Sequence, residues 1–267
     1  MSGYRAKKRF GQNFLKSPEI IDKIIKAIDP HADEQIIEIG AGRGAITYPL
    51  AESQANVTAI EFDNDLIGYL TKLLSKHPKV QLIHTDFLLY QPDFKPYKLV
   101  GNLPYNITSP VIDWACKNKK SITSAFFMTQ KEVALRISAT PESKDWSPLA
   151  IFTQLYFDIE VLFHISAKHF SPPPKVESSL IKLEPKREIV IEHEDLFELI
   201  VRSAFLTRRK TLLNNLLESF QVESSDLKKI FSECEISEKV RAEQISIENF
   251  LKLTILFTKY NILSYKN

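Results

Sequence analysis

Glycine is scarce in this chain: 267 residues hold only seven, against about 19 at the usual frequency of roughly 7%. Cysteine is scarcer still. Cys116 and Cys234 cannot build a disulfide scaffold or a four-thiolate zinc site, and they point to a reducing compartment. The six histidines lack zinc-ligand spacing, so no metal is expected, and His164 and His169 read as structural. No apolar run approaches the ~20 residues of a membrane span, and the basic first residues lack the apolar segment of a signal peptide. A cytoplasmic protein with no membrane partner is expected. An excess of one charge is also missing, since 35 Lys and Arg face 33 Asp and Glu. That balance excludes a disordered or uniformly basic RNA-coating chain but leaves room for a local basic face.

Three of the seven glycines fall within five residues, Gly40, Gly42 and Gly44. Such a cluster marks backbone that turns tightly or lets a ligand approach closely. The β-branched run Gln35-Ile36-Ile37-Glu38-Ile39 precedes it and reads as a buried parallel strand. Helical character over residues 45–52 and a second strand over 56–61 follow, which makes the first βαβ unit of a doubly wound sheet. Glu61 ends that second strand about twenty residues after Gly40, where an acid accepts both hydroxyls of a ribose. The loop fits two cofactors. Gly40-Ala41-Gly42-Arg43-Gly44-Ala45 satisfies a loose dinucleotide pattern, and with Glu38 it also satisfies the acid-x-G-x-G-x-G loop of S-adenosylmethionine-dependent methyltransferases.

Strands are further expected at residues 79–84, 97–100, 121–128, 159–165 and 178–183, with helices at 130–138 and 148–157. Asp86 follows the carboxyl end of its strand, placed either to accept from an adenine amino group or to cap a short helix. Phe170-Ser171-Pro172-Pro173-Pro174-Lys175 forms a stiff, extended loop. From about residue 188 helical periodicity takes over, at 195–206, 208–220, 225–232 and 247–260. The fold class expected is α/β: a Rossmann-like class I methyltransferase domain over 1–187, carrying a basic N-terminal arm, and a small all-helical domain over 188–267.

Asn102-Leu103-Pro104-Tyr105 ends the strand that begins at residue 97. An adenine exocyclic amine is a poor nucleophile because its lone pair is delocalised into the ring. The Asn102 side-chain carbonyl and a backbone carbonyl of Leu103–Pro104 can accept its two N–H bonds and favour a tetrahedral nitrogen. Pro104 stiffens that backbone and the Tyr105 face stacks on the base. No base is needed before attack, so catalysis is positioning and electrostatic complementarity. A nicotinamide dehydrogenase has no use for such a clamp, and the dinucleotide alternative falls.

With these residues the chain resembles the small-subunit ribosomal RNA adenine N6,N6-dimethyltransferases, the enzymes associated with kasugamycin sensitivity. The resemblance runs through Lys7-Lys8-Arg9-Phe10-Gly11-Gln12-Asn13-Phe14-Leu15, Ile37-Glu38-Ile39-Gly40-Ala41-Gly42, Ile60-Glu61-Phe62-Asp63 and Asn102-Leu103-Pro104-Tyr105. It continues through Gln130-Lys131-Glu132-Val133-Ala134, residues 170–178 and Arg208-Arg209-Lys210-Thr211-Leu212. It departs from the family at Ala41, where proline is common, at a small cost in rigidity. The resemblance implies S-adenosylmethionine as cofactor, contacted by Asn13, Leu15, Gly40, Gly42, Glu61, Asp86 and Asn102. It also implies a substrate: two adjacent adenosines in the hairpin loop near the 3′ end of small-subunit ribosomal RNA, each gaining two methyl groups. Asn102, Leu103, Pro104, Tyr105 and Phe170 are the expected catalytic set. Phe170 covers the flipped adenine opposite Tyr105 or else is a plain core residue.

The expected partner is small-subunit ribosomal RNA or an immature small subunit, met by a monomer. Residues 1–16 carry Arg5, Lys7, Lys8, Arg9 and Lys16 and no acid, and a second cluster comprises Arg202, Arg208, Arg209 and Lys210. Lys7, Lys8, Arg9, Arg208, Arg209 and Lys210 are thus candidates for phosphate contact, against the alternatives of a solvated face or structural packing. Two other functions stay open: a ribosome-assembly factor whose binding matters more than its chemistry, and a large-subunit dimethyltransferase of the macrolide-resistance kind.

Overall fold

The computed structural model describes residues 6–7, 11–104, 106–186 and 191–265. They contain β1 (Phe14–Leu15), α1 (Pro18–Ile28), β2 (Gln35–Ile39), α2 (Thr47–Glu52), β3 (Asn56–Glu61), α3 (Asn64–Leu74), β4 (Val80–His84), β5 (Tyr97–Asn102), α4 (Thr108–Lys117) and β6 (Ile122–Gln130). Then come α5 (Lys131–Ile137), α6 (Pro148–Tyr156), β7 (Phe157–Ile165), β8 (Phe170–Ser171), β9 (Ser178–Pro185), α7 (Glu194–Ala204), α8 (Leu212–Ser219), α9 (Ser224–Glu233) and α10 (Ile247–Lys259).

Seven strands form one sheet in the order β4-β3-β2-β5-β6-β9-β7. The pairs from β4 to β6 are parallel, and β9 runs antiparallel to both β6 and β7. β2 and β3 are buried along almost their whole length because helices cover both faces of a parallel sheet. The chain leaves β2 toward β3 and β4, then returns to β5 on the other side. The carboxyl ends of β2 and β5 therefore meet at the topological switch point, with Ile39 in register with Gly101. Gly101 is required there: a Cβ would stand 2.9 Å from Leu103 and 3.1 Å from the Ile39 carbonyl oxygen.

One pairing lies outside what periodicity can reveal. The two-residue β1 joins β8 antiparallel, Phe14 opposite Ser171 and Leu15 opposite Phe170. A strand that short carries no alternation pattern, so only the tertiary structure shows it.

By contacts the chain divides into two compact units, Met1–Ala134 with Tyr156–Lys186, and Leu135–Leu155 with Arg187–Asn267. One division falls at Lys186 and Arg187. Segment 135–155 does not follow the expected partition: it falls within the first domain by sequence, yet it packs with the helices. The reason is in its side chains. The Trp146 indole N–H donates to the Ile245 carbonyl at 2.8 Å, and Phe152 meets Phe197 edge to face. The helical unit centres on buried Phe197, Phe220, Phe231, Phe250 and Phe257. No helix among the described residues is long and apolar enough to cross a membrane.

Candidate active site

A cavity of about 290 Å³ opens at the carboxyl ends of β2, β3, β4 and β5. Asn13, Leu15, Gly40, Gly42, Glu61, Asp86, Asn102, Leu103, Pro104 and Phe170 all line it. Well-separated stretches of sequence thus converge on one space. Tyr105, Lys8 and Arg9 lie outside the described residues.

The glycine loop is shaped by β3. The Gly40 and Ala41 amides both donate to the Ile60 carbonyl, at 2.8 and 3.1 Å. Gly42 has φ +58°, and a Cβ there would come within 3.3 Å of the Phe14 ring, so the arm and the loop touch only because this position carries no side chain. The Arg43 guanidinium stacks on the same ring, 4.6 Å from the Phe14 centroid.

Glu61 is 6% exposed. Its Oε2 accepts from the Gly42 amide and its Oε1 from the Asp63 amide, each at 2.7 Å. The expected ribose acceptor therefore already holds the loop to the strand. Burial is the main force raising its pKa, opposed by these amides, with the Asp63 charge raising it further. Asp86 Oδ1 caps a short helical turn through the Leu88 amide at 2.9 Å, and the residue also lines the cavity.

Glu38 belongs to the glycine-loop pattern but is not among the expected contact residues. It lines the same cavity and is buried, and Oε2 has no hydrogen bond among the described residues. Burial, and then the nearby Glu61 charge, raise its pKa to about 7, while Thr47 draws it partly back. Asp63 is a second residue that spacing does not single out. Its side chain caps α3 through the Asp65 amide and receives the arm through Lys7 Nζ at 2.5 Å and Gln12 Nε2 at 2.9 Å. Lys7 also reaches Asp65 at 2.7 Å, so this expected phosphate ligand serves to tie the arm down. The available signal is the acid pair Asp63 and Asp65 opposite a basic arm.

Asn102 ends β5, and its Nδ2 donates to the Asn13 backbone carbonyl at 2.9 Å. Leu103 is buried, with its amide bonded to the Met128 carbonyl at 3.0 Å, which fixes the backbone leading into Pro104. Phe170 is only 1% exposed and belongs to a core cluster with Leu15, Val100, Phe126 and Met128. It is a core residue whose surface also bounds the cavity.

In the helical unit, Arg208 pairs with Glu243 at 3.4 Å and donates to the Lys144 carbonyl. Lys210 pairs with Glu218. Arg209 is exposed. The Asn215 side chain, buried in α8, donates to the Ala204 and Thr207 carbonyls at 2.7 and 3.1 Å and so shapes the turn that carries all three cations.

The profile of the ribosomal RNA adenine dimethylases matches residues 3–259, nearly the whole chain. The chain belongs to this family. It is 39% identical over 272 residues to ribosomal RNA small subunit methyltransferase A of Hydrogenovibrio crunogenus, covering 97% of this chain and 99% of that one. It is likewise 39% identical over 254 residues to the enzyme of that name from Xanthomonas campestris pv. campestris, covering 93% and 95%. Its structure is similar to a dimethyladenosine transferase from Plasmodium falciparum, with a TM-score of 0.81, 26% identity, and 93% and 98% of the two chains covered. It is also similar to the 23S rRNA methyltransferase ErmE, with a TM-score of 0.69, 27% identity, and 92% and 100% covered. The α/β methyltransferase fold and the class of enzyme, an S-adenosylmethionine-dependent ribosomal RNA adenine dimethyltransferase, follow from this membership. The cavity fits that cofactor. The unsatisfied Glu38 oxygen suits a cationic ligand, and the glycine loop lets one approach closely. Glu61 and Asp86 place two carboxylates on the same lining.

Proposed function

We propose that this chain dimethylates N6 of two adjacent adenosines in the 3′-terminal hairpin loop of small-subunit ribosomal RNA. The observation that carries the reading is Asn102, Leu103 and Pro104 lining one cavity with the glycine loop, Glu61 and Asp86. Small-subunit choice is supported by the names of the relatives at 39% identity. The partner is small-subunit ribosomal RNA, alone or within an immature subunit. The protein acts as a monomer.

S-adenosylmethionine supplies an electrophilic methyl group when bound. Gly40, Gly42, Glu61 and Asp86 would hold its nucleoside part, and Asn13 and Leu15 would close over it. Asn102 Oδ1 and a backbone carbonyl of Leu103–Pro104 accept the two N–H bonds of the target amine. They favour a pyramidal nitrogen and stabilise its positive charge as the new N–C bond forms. Tyr105 and Phe170 stack on the base, which matters more for the second transfer because one N–H is then gone. Phosphate contacts come from the basic arm, Lys8 and Arg9 included, and from the Arg208–Lys210 turn of an RNA-binding helical domain.

Nucleoside mass spectrometry of small- and large-subunit RNA, after incubation with the protein and S-adenosylmethionine, tests this. Dimethyladenosine is expected in small-subunit RNA alone and Asn102→Ala should abolish it. Its appearance in large-subunit RNA would favour the function carried by the ErmE name, and a fully active Asn102→Ala would refute the site.

A further inference from the structure

The Asn102 carboxamide poses a problem of orientation. Its oxygen and nitrogen are nearly the same size, so packing alone cannot decide which faces the substrate, yet only the oxygen can accept an amine proton. The structure contains a group that decides. Asn102 Nδ2 lies 2.9 Å from the backbone carbonyl oxygen of Asn13, 89 residues away in sequence. A backbone carbonyl can only accept, so it must meet Nδ2, which turns Oδ1 away from the arm.

That carbonyl is itself held firmly. On one side the Asn13 side chain donates to the Gly11 carbonyl at 3.1 Å, across a turn in which Gly11 has φ +61°, and Gln12 is tied to Asp63 at 2.9 Å. On the other side β1 is paired with β8, the Lys16 amide donates to the His169 carbonyl at 2.9 Å, and Phe14 and Leu15 are buried at 8% and 6% exposure. We propose that the Asn13 backbone carbonyl is the positioning group that fixes Asn102 as an acceptor, so that the arm makes asparagine, rather than the isosteric aspartate, the residue this site requires. The inference rests on the amine-acceptor reading of Asn102 given above.

Asn102→Asp separates anchor from acceptor. When ionised, the introduced carboxylate offers a stronger acceptor to the amine but has no proton for the Asn13 carbonyl and is repelled by it. When protonated, the carboxyl reproduces the amide: its O–H donates to the Asn13 carbonyl and its C=O accepts from the amine. At pH 8 the variant should show amide hydrogen exchange at residues 12–15 at least tenfold faster than the unaltered protein, and methyl transfer at least a hundredfold slower. Both ratios should recover as the pH falls toward 5.5. The other titratable groups around the cavity, Glu38, Glu61, Asp63, Asp86 and Arg43, are present in both proteins, so the ratio isolates the new carboxyl.

A variant whose arm exchanges at the unaltered rate at pH 8, or whose relative methylation rate rises with pH, overturns the proposal. Recovery of arm protection at low pH without recovery of methylation leaves the anchor standing and overturns the acceptor reading instead. Should the variant fail to fold, the unaltered protein decides by NMR. One Asn102 side-chain amide proton should exchange at least tenfold more slowly than those of an exposed asparagine, and equal rates overturn the anchor.

Discussion

Lys98 and Glu38 are both buried charges in the central sheet, at 7% and 3% exposure, but they sit at opposite ends of it. Lys98, at the amino end of β5, donates to the Ile28 and Asp29 carbonyls at 2.8 and 3.3 Å and pairs with Glu34 at 3.0 Å. It closes the carboxyl end of α1, whose last carbonyls have no helical partner. Glu38, at the carboxyl end of β2, keeps one oxygen unsatisfied and carries a strongly raised pKa. One charge is fully compensated by the fold, and the other waits for something the fold does not supply. The helical unit offers a third case: its buried polar side chains among the described residues, Thr153, Ser203, Asn215, Ser219 and Thr254, are all neutral. Among the described residues, the buried carboxylate that keeps an unsatisfied oxygen thus lies at the end of the sheet where the cavity opens.

The largest effect is expected where compensation is complete. Lys98→Met leaves Glu34 and two carbonyls without their partner and should cost about 3 kcal/mol or more of stability in chemical denaturation. Cofactor affinity in the folded protein should not change. A stability loss under about 1 kcal/mol, the scale of an exposed pair, would erase the contrast between the two ends.

Glu38→Gln should act in the opposite direction. A carboxyl raised from 4.5 to about 7 stabilises the fold fully below pH 4.5, and that contribution is lost as pH rises through 7. Removing the ionisation should therefore stabilise the ligand-free protein at pH 8 by on the order of 3 kcal/mol relative to pH 4.5. Melting curves of the two proteins should diverge with rising pH. Parallel curves would show that the Glu38 charge costs nothing.

Glu61→Ala should weaken S-adenosylmethionine binding by about 1.5–3 kcal/mol, the worth of hydrogen bonds to a charged group. Part of that loss comes from releasing the Gly42 amide, so Glu61→Gln should recover some affinity by calorimetry. Phe170→Ala should cost roughly 1–3 kcal/mol in the second methyl transfer and less in the first. Monomethyladenosine then accumulates. Because Phe170 is fully buried in the core, the comparison must be made below the variant's melting temperature. An unchanged mono-to-di ratio would make Phe170 a core residue only.

The smallest effect distinguishes the cations of the helical unit. Arg209→Ser should lower the slope of log RNA affinity against log salt by something under about one unit, the share of one phosphate contact, with no change in melting. Arg208→Ser should lower the melting temperature as well, because its ties to Glu243 and the Lys144 carbonyl go with it. Equal slopes in Arg209→Ser and the unaltered protein would return the turn to a solvated face.

Sequence by itself determined the strand order's raw material and most of the cavity. β-branched runs of the right length read as buried strands, and glycines concentrated before a helix read as a tight turn or a close-approach loop. Because open α/β sheets bind ligands outside the carboxyl ends of their strands, Glu61, Asp86 and Asn102 were legible from their places at the ends of three such runs. The arm's basic charge was legible in its composition, but the place of Asn13 and Leu15 at the cavity only through family resemblance, and the pairing of β1 with β8 not at all, since two-residue strands leave no period to read. By contacts, segment 135–155 groups with the helices that follow residue 187, which the sequence does not signal because helical periodicity says which face of a helix is apolar, not which core receives it. Tertiary structure alone decided that Lys7 meets Asp63, that Glu38 keeps an unsatisfied oxygen, and that the Asn13 carbonyl meets the Asn102 side chain. Each of these depends on groups separated by long stretches of chain, whose distance only packing sets, and on hydrogen-bond directions that residue identity leaves free.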